Sequence, residues 1–345
     1  MTVPIDKGGL CEERVRVYFL RLGFYAVRSV PCSFRDISIT DVDIWLYSRP
    51  SPLSRHRINV DIKNKKTPQA IERIFWSLGL KDSFKLDECI VVTTDRRSDV
   101  AEFGATIGVK VLDGPFLSRL KLVPVSPEIG RLTEEEFNHC IAGDGKEEAI
   151  EGWVGRYQSS KARLLTNLDF GGVNSHLKSC IQLCENISLG THRKEAACRL
   201  LCANLGLFLI SLDFCMKDIV FKQEDERREA LASGFSYGSI GRIGMDSLLQ
   251  RVEGLLTKYI RGGDILGKQV KQGVFSDLQA SNFTLLRDYL VKPDVSRDLF
   301  ELAKKFEALA YQRSATLDLS GLGPELKSIV AIICDFSGID RKKVL

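Results

Sequence analysis

A continuous apolar run at residues 89–93 (CIVVT) places the strongest constraint on how this chain can fold. A similar run follows at residues 108–112 (GVKVL), and segments with helical spacing of apolar residues flank both. Short runs without polar alternation are typical of strands that are covered on both faces. The sequence therefore predicts a sheet buried between layers of helices in the first third of the chain.

The segments upstream complete a regular order of elements. Residues 10–22 have the spacing of an amphipathic helix, and residues 24–30 and 37–47 have the composition of strands. Residues 58–63 (INVDIK) alternate and indicate a third strand. The remaining predicted helices begin at Pro68 and span residues 98–107 and 115–120. The order α-β-β-β-α-β-α-β predicts an α/β fold, a three-layer sandwich.

The pattern changes near residues 125–136 (VSPEIGRLTEEE), which combine a proline, a glycine and a charge run. Beyond this segment the spacing is almost wholly helical. Helices are predicted at residues 161–168, 176–187, 194–217, 246–259, 283–290 and 297–312. Because 345 residues exceed the usual size of one core, we expect two domains. They are residues 1–124 and an α-helical domain at residues 125–345 for recognition, dimerisation or regulation.

Charge and cysteine content bear on partners and location. Residues 1–123 contain 20 Lys and Arg against 15 Asp and Glu, whereas the rest contains 29 against 30. A mildly basic domain is compatible with a polyanionic partner. Ten cysteines without a secretory signal indicate reduced thiols, so we expect a cytoplasmic protein. No apolar run has the length of a membrane span, so no membrane partner is expected.

Charged residues within the predicted strands indicate a chemistry. Asp61 and Lys63 lie two residues apart, so both leave the same face of the third strand. Asp41 and Asp43 share a face of the second strand, and pairing of the two strands would bring one of them beside Asp61. Adjacent carboxylates repel each other unless a cation lies between them, and Mg²⁺ prefers such oxygen ligands. This set suits phosphodiester hydrolysis, with the lysine either holding an attacking water or stabilising charge on the phosphate.

A carboxylate of the first helix, Glu12 or Glu13, could complete the set. The residues together resemble the PD-(D/E)xK nuclease superfamily, in its archaeal Holliday-junction resolvase-like and Mrr-like restriction endonuclease branches. The matching pieces are Lys7-Gly8, Glu12, Gly23-Phe24, Val42-Asp43-Ile44, Val60-Asp61-Ile62-Lys63 and the pattern of residues 90–120. The resemblance covers about residues 5–122 and implies a restriction-endonuclease-like sandwich with a central mixed sheet. It favours Glu12 over Glu13, and Asp43 over Asp41.

The resemblance also implies the role of each residue. Asp43 and Asp61 would ligate Mg²⁺, for which Mn²⁺ could substitute, and the Ile62 carbonyl would help. Glu12 would contribute directly or through water, and Lys63 would position the nucleophilic water. Gln69 and Arg73, one turn apart on the following helix, would face the site or the DNA backbone.

A basic patch next to this motif is predicted to contact phosphates, which supply most non-specific affinity. It consists of Arg55, Arg57, Lys65 and Lys66. The implied function is a Mg²⁺-dependent DNA endonuclease that acts in restriction, phage defence or DNA repair. We expect a homodimer, because duplex cleavage needs two sites. Two alternatives stay open. The domain could be a catalytically inactive nucleic-acid-binding or assembly module, or a nuclease directed at RNA.

Other conspicuous residues are interpreted as structural. Cys180 and Cys184, like Cys198 and Cys202, are spaced for one helix face, and His176 and His192 lie nearby. Structural zinc sites more often use C-x2-C turns, so we predict that these cysteines pack in the core. Trp45, Phe75 and Trp76 are also predicted to be core residues. The glycine-rich residues 234–244 follow no strand and are predicted to form a loop.

Overall fold

The computed structural model describes residues 3–34, 37–122, 124–125, 129–142, 152–280, 283–313 and 316–345. In the first third of the chain it confirms the predicted α/β fold and the order of its elements. The strands are β1 (Tyr25–Phe34), β2 (Ile37–Ser48), β3 (His56–Lys63), β4 (Glu88–Thr93) and β5 (Lys110–Leu112). The helices of this part are α1 (Lys7–Arg21), α2 (Ala70–Ser83), α3 (Ser98–Thr106) and α4 (Gly114–Leu120).

The five strands form one mixed sheet in the order β1-β2-β3-β4-β5. Strand β2 pairs antiparallel with β1 and β3, whereas β3, β4 and β5 run parallel. Parallel neighbours need crossover connections, and α2 and α3 provide them. The carboxyl ends of β3 and β4 therefore lie at one edge of the sheet, with Lys63 beside Thr93.

Helices cover both faces of the sheet. On one face, α1 and α4 pack on alternate residues of the central strands, including Ile44, Val60 and Val92. On the other face, α2 and α3 pack on β4 through residues such as Ile74 and Val91. Because helices cover both faces of the sheet, the side chains on both faces of β4 are buried, and neither face of its buried stretch is lined by charged residues.

The rest of the chain is helical. Its helices are α5 (Glu134–Ala142), α6 (Trp153–Thr166), α7 (Phe170–Ser188), α8 (Lys194–Met216), α9 (Glu224–Tyr237), α10 (Gly241–Tyr259), α11 (Gly263–Ala280), α12 (Phe283–Leu290), α13 (Pro293–Ala310), α14 (Pro324–Ser337) and α15 (Arg341–Val344). All six predicted helices are confirmed. The predicted loop at residues 234–244 is wrong, because it contains the end of α9, a 3₁₀ turn and the start of α10. Gly238 and Gly241 have φ values of 60° and 64°, which break the helix without a longer loop.

Helix α8 is the centre of the helical region. It alone among the described helices has the length and apolarity of a membrane span, but 94% of its 18-residue apolar window is buried inside the protein. Burial on all sides by other helices accounts for that composition. Cys198 and Cys202 lie in α8, and Cys180 and Cys184 lie on the facing α7. All four are buried free thiols, as the core interpretation predicts.

The helical region and the sheet share one hydrophobic core. Val27 of β1 and Trp45 and Tyr47 of β2 are buried in the same cluster as the apolar residues of α8 and α13. The helical region thus covers the part of the sheet that α2 and α3 leave open. The division after residue 124 stays a prediction, since packing runs continuously across it. Residues 126–128 of the predicted boundary segment lie outside the described residues.

Of the three aromatic residues predicted to lie in the core, one is buried as predicted and two are exposed, so the prediction for those two is wrong. Trp45 is fully buried, whereas Phe75 is 57% exposed and Trp76 is 42% exposed. Helix α2 turns Ala70, Ile74 and Ser77 inward. Phe75 and Trp76 follow Ile74 directly and so leave α2 in other directions.

Candidate functional site

Asp43 lies at an irregularity in the sheet. The β1–β2 pairing passes from Arg28–Ile44 to Val30–Val42, so Ser29 and Asp43 have no place in the ladder. Ser29 has a left-handed backbone with φ of 52°, a conformation that costs energy in a residue other than glycine. Strained backbone of this kind concentrates at functional sites.

The Asp43 side chain reaches across to β3. The β2–β3 ladder ends at Ile44–Val60, and beyond it Asp43 Oδ2 accepts a hydrogen bond of 2.6 Å from the Ile62 N–H. Burial raises the pKa of Asp43, and the Ile62 N–H and the charges of Lys63 and Arg73 oppose that rise. Since the N–H and C=O of a strand residue leave the same edge, the Ile62 carbonyl faces Asp43 too. Asp43 thus contacts β3 at the residue between Asp61 and Lys63, and the charge of Lys63 acts on its carboxylate.

Asp61 is buried and bound by an arginine. Arg73 of α2 donates from Nε to Asp61 Oδ2 at 2.7 Å, and its Nη2 pairs with Asp61 Oδ1. Arg73 thus faces Asp61 from the first turn of α2. Its guanidinium lies against a candidate metal ligand, and such bidentate pairs are among the stronger hydrogen-bonded contacts in proteins.

Glu12 of α1 is held in a similar way by Arg28 of β1. Arg28 Nε donates to Glu12 Oε2 at 2.8 Å, and Arg28 Nη1 contacts Glu13 Oε1 at 3.1 Å and Glu135 Oε1 at 2.8 Å. Burial raises the pKa of Glu12, Arg28 lowers it, and the charge of Asp43 adds to the rise. Glu12 therefore lies within electrostatic reach of Asp43. Glu13 is almost completely buried, whereas Glu12 is partly exposed.

Glu13 belongs to a buried ionic network that the sequence analysis missed. Arg16 Nη1 contacts Glu13 Oε1 at 3.3 Å and Glu134 Oε2 at 3.1 Å. Lys161 Nζ contacts Glu134 Oε1 at 2.8 Å, and Arg16 Nη2 contacts Glu307 Oε1 at 3.1 Å. The network joins α1 to α5, α6 and α13, and Arg28 extends it to Glu12. The charges in the first helix and the EEE run at residues 134–136 were its only signal in the sequence.

The predicted phosphate contacts have different positions in the structure. The prediction for Arg55 is wrong, because its side chain is fully buried and its Nε lies 2.5 Å from Asp213 Oδ2 of α8. Arg57 lies at the amino end of β3, away from Asp61, and binds Asp87 at 3.2 Å. Lys65, Lys66 and Gln69 are exposed between β3 and α2, within about eight positions of Asp61 along the chain.

A basic cleft near the carboxyl ends of β3 and β4 also escaped the sequence analysis. Its volume is about 160 Å³, and Asn64 and Thr94 line it at the sheet edge. The cations Arg14, Arg96 and Lys121 line it from three separate segments. Only the fold brings them together, so spacing along the chain could not reveal the cleft. It adds positive charge beside Lys63 and Asn64.

The donor set can be compared with what Mg²⁺ requires. Asp43, Asp61 and the Ile62 carbonyl offer oxygen atoms from neighbouring positions, which suits a hard divalent cation. In the described part of the chain, no three His, Cys, Asp or Glu side chains are grouped closely enough to hold a metal. Arg73 and Arg28 bind Asp61 and Glu12 in this arrangement. The residues fit the ion in kind, and binding would require Arg73 to leave Asp61.

Comparison with known proteins gives no independent assignment. No protein-family model matches the chain, no curated protein matches it, and no solved structure matches its fold.

Proposed function

We propose that residues 1–124 form a restriction-endonuclease-like domain of the PD-(D/E)xK type, and that the protein is a Mg²⁺-dependent DNA endonuclease. The observation that carries the proposal is the bond from the Ile62 N–H to the Asp43 carboxylate. It brings Asp43 to the strand end that bears Asp61 and Lys63, as cleavage would require. The exposed lysines Lys65 and Lys66 and the nearby basic cleft support a polyanionic substrate.

In this proposal, Asp43, Asp61 and the Ile62 carbonyl hold Mg²⁺ or Mn²⁺, with Glu12 contributing directly or through water. The ion supplies charge stabilisation at the phosphate and lowers the pKa of water. Lys63 orients the attacking water and Lys65 and Lys66 hold the backbone. An ion bound at Asp61 would displace Arg73, whose guanidinium would then be available to a phosphate. A homodimer, a cytoplasmic location and a role in restriction, phage defence or DNA repair belong to the same proposal.

The test is cleavage of supercoiled plasmid, four-way-branched DNA, single-stranded DNA and RNA with Mg²⁺, Mn²⁺ or a chelator. Asp61→Asn and Lys63→Ala should each lower the rate by about a hundredfold or more, as loss of one transition-state contact usually does. Asp41→Asn is the matched control, because Asp41 is an exposed aspartate of β2, two residues from Asp43 on that strand. Equal rates in all three variants would refute this site as the origin of cleavage. Cleavage of RNA alone would reassign the substrate.

A second function is supported by the ion pairs themselves. Arg73 and Arg28 already neutralise Asp61 and Glu12, as expected of a nuclease-like domain that binds nucleic acid or assembles without cutting. In that case the protein would bind DNA with the same affinity with and without Mg²⁺. Asp61→Asn would leave the binding intact, and no cleavage would occur with any substrate or ion.

A further inference from the structure

A cleft in the helical region has a chemistry that the proposed nuclease site does not use. Its volume is about 510 Å³, and all its lining residues belong to α6, α7 and α8. The charged side chains among them are Arg156, Arg163 and Lys178, and no described carboxylate lines the cleft. Ser159 and Ser160 add hydroxyl groups to the wall, whereas the hydroxyls of Ser175 and Ser179 donate to the Gly171 and Ser175 carbonyls. Cations and hydroxyls without a carboxylate are the groups that bind a phosphate.

These three cations are not neutralised within the described part of the protein. Arg16 and Lys161 are buried and bind Glu134. Arg156, Arg163 and Lys178 have no ion pair or side-chain hydrogen bond to a described residue. Burial lowers the pKa of Arg163, and no neighbouring carboxylate opposes the change. A half-buried arginine without a counter-charge is a candidate partner for an anion from outside the protein.

A second observation in the cleft is independent of charge. Asn204 of α8 is 2% exposed, and its Nδ2 donates to the Leu200 carbonyl at 2.9 Å. Its Oδ1 is buried without a hydrogen-bond partner among the described residues. Buried acceptors in folded proteins almost always have a donor from protein, water or ligand, so this oxygen can accept an N–H or O–H from a molecule in the cleft. The side-chain amides of Gln182 and Asn186 line the same cleft.

We propose that this cleft binds a nucleoside phosphate. Arg156, Arg163 and Lys178 bind the phosphate, and the amides, with Asn204 as acceptor, bind the base or ribose. Asparagine and glutamine side chains match the paired donors and acceptors of nucleobase edges. The volume lies within the roughly 300–1,000 Å³ of small-molecule sites and exceeds what a phosphate alone fills. The site is separate from Asp43 and Asp61 and does not depend on the nuclease proposal.

The test is isothermal titration calorimetry of the full chain with adenosine and guanosine mono-, di- and triphosphates, and with inorganic pyrophosphate. We expect saturable binding of at least one nucleotide, weakened by salt because the contacts are ionic. Arg163→Gln should weaken it about tenfold or more, the loss of one charge-assisted hydrogen bond, and Lys178→Glu should weaken it further because it also places a negative charge against the phosphate. Lys178 is exposed, so its variant should keep the fold even if Arg163→Gln does not.

Two controls separate this site from other cationic surfaces. Arg251→Gln changes an exposed arginine of α10 and should leave the affinity unchanged, and so should Asp61→Asn. Four results would overturn the proposal: no saturable binding at millimolar nucleotide, equal loss in the Arg251 variant, pyrophosphate binding as tight as nucleotide binding, or binding of single-stranded oligonucleotides only. Loss of nuclease activity in Asp61→Asn with intact nucleotide binding would show that the two sites are independent.

Discussion

Glu134 is the centre of the buried ionic network, and its ionisation should govern acid stability. Burial alone would raise the pKa of Glu134, but Lys161 and Arg16 outweigh burial and lower that pKa to about 2. The usual value is 4.5. Because the pKa is lower in the folded state, the stabilisation is fully present above pH 4.5 and is lost as the pH falls toward 2. The shift corresponds to about 3 kcal/mol, of which about 2 kcal/mol should disappear between pH 6 and pH 3.

The comparison of wild type with Glu134→Gln isolates this contribution. We expect the variant to be less stable at pH 6, because Lys161 and Arg16 lose the charge that compensates their burial. The free energy of unfolding from urea titrations at pH 6, 5, 4 and 3 should show the difference narrowing by about 2 kcal/mol. Glu325→Gln removes an exposed partner of Lys305 and should change stability by less than about 1 kcal/mol at every pH. A constant difference between wild type and Glu134→Gln would refute the lowered pKa.

Two further predictions concern the arginines that hold aspartates. Arg73→Gln should strengthen Mn²⁺ binding about tenfold in calorimetry, because the ion no longer competes with the charge-assisted bond from Arg73 to Asp61. An unchanged affinity would show that Asp61 is not a metal ligand. Asp213→Asn should lower the free energy of unfolding by about 3–5 kcal/mol, because it leaves the buried Arg55 without its counter-charge. The measurement is urea titration, and a loss below about 1 kcal/mol would show that the Arg55–Asp213 pair does not stabilise the fold.

The sheet was accessible from the sequence because its strands are encoded locally. Alternation in residues 58–63 and the apolar run at residues 89–93 each report the burial of one strand. The candidate site followed from the same source, since Asp61 and Lys63 share a strand and Asp43 lies near its end on the next. The distortion at Ser29 that frees Asp43 from the ladder left no sequence signal, because a serine rarely adopts positive φ.

What the sequence could not reveal depends on contacts between distant residues. From the sequence, Arg55 was predicted to contact phosphate. In the structure it binds Asp213 of α8, which lies 158 positions further along the chain. The spacing of Phe75 within α2 suited a core residue. Its exposure depends on which face of α2 packs against β4, and the helix sequence alone does not determine that face. The glycines of residues 234–244 indicated a loop, and only the turn at Gly238 and Gly241 shows how two helices continue on either side. Local patterns do not encode such partners.

The shared core makes a prediction about the boundary after residue 124. A chain of residues 1–124 would expose Val27, Trp45 and Tyr47, each of which is buried against the helical region. Burial of such a side chain contributes about 1.5–3 kcal/mol, so the loss approaches the whole stability of a typical domain, about 5–15 kcal/mol. Arg16 would also lose Glu134 and Glu307.

We therefore expect the isolated segment to lack a cooperative thermal transition and to bind a hydrophobic dye, whereas the full chain melts cooperatively. Replacing Trp45 in the full chain with alanine is the matched perturbation, and it should cost about 3–5 kcal/mol without abolishing the fold. A segment of residues 1–124 that melts cooperatively and cleaves DNA would show that the helical region is an accessory to an independent domain. If the isolated segment does not fold or cleave DNA while the full chain does, the helices are part of the scaffold of the site. They would then hold Glu12 in place through Arg28 and Glu135.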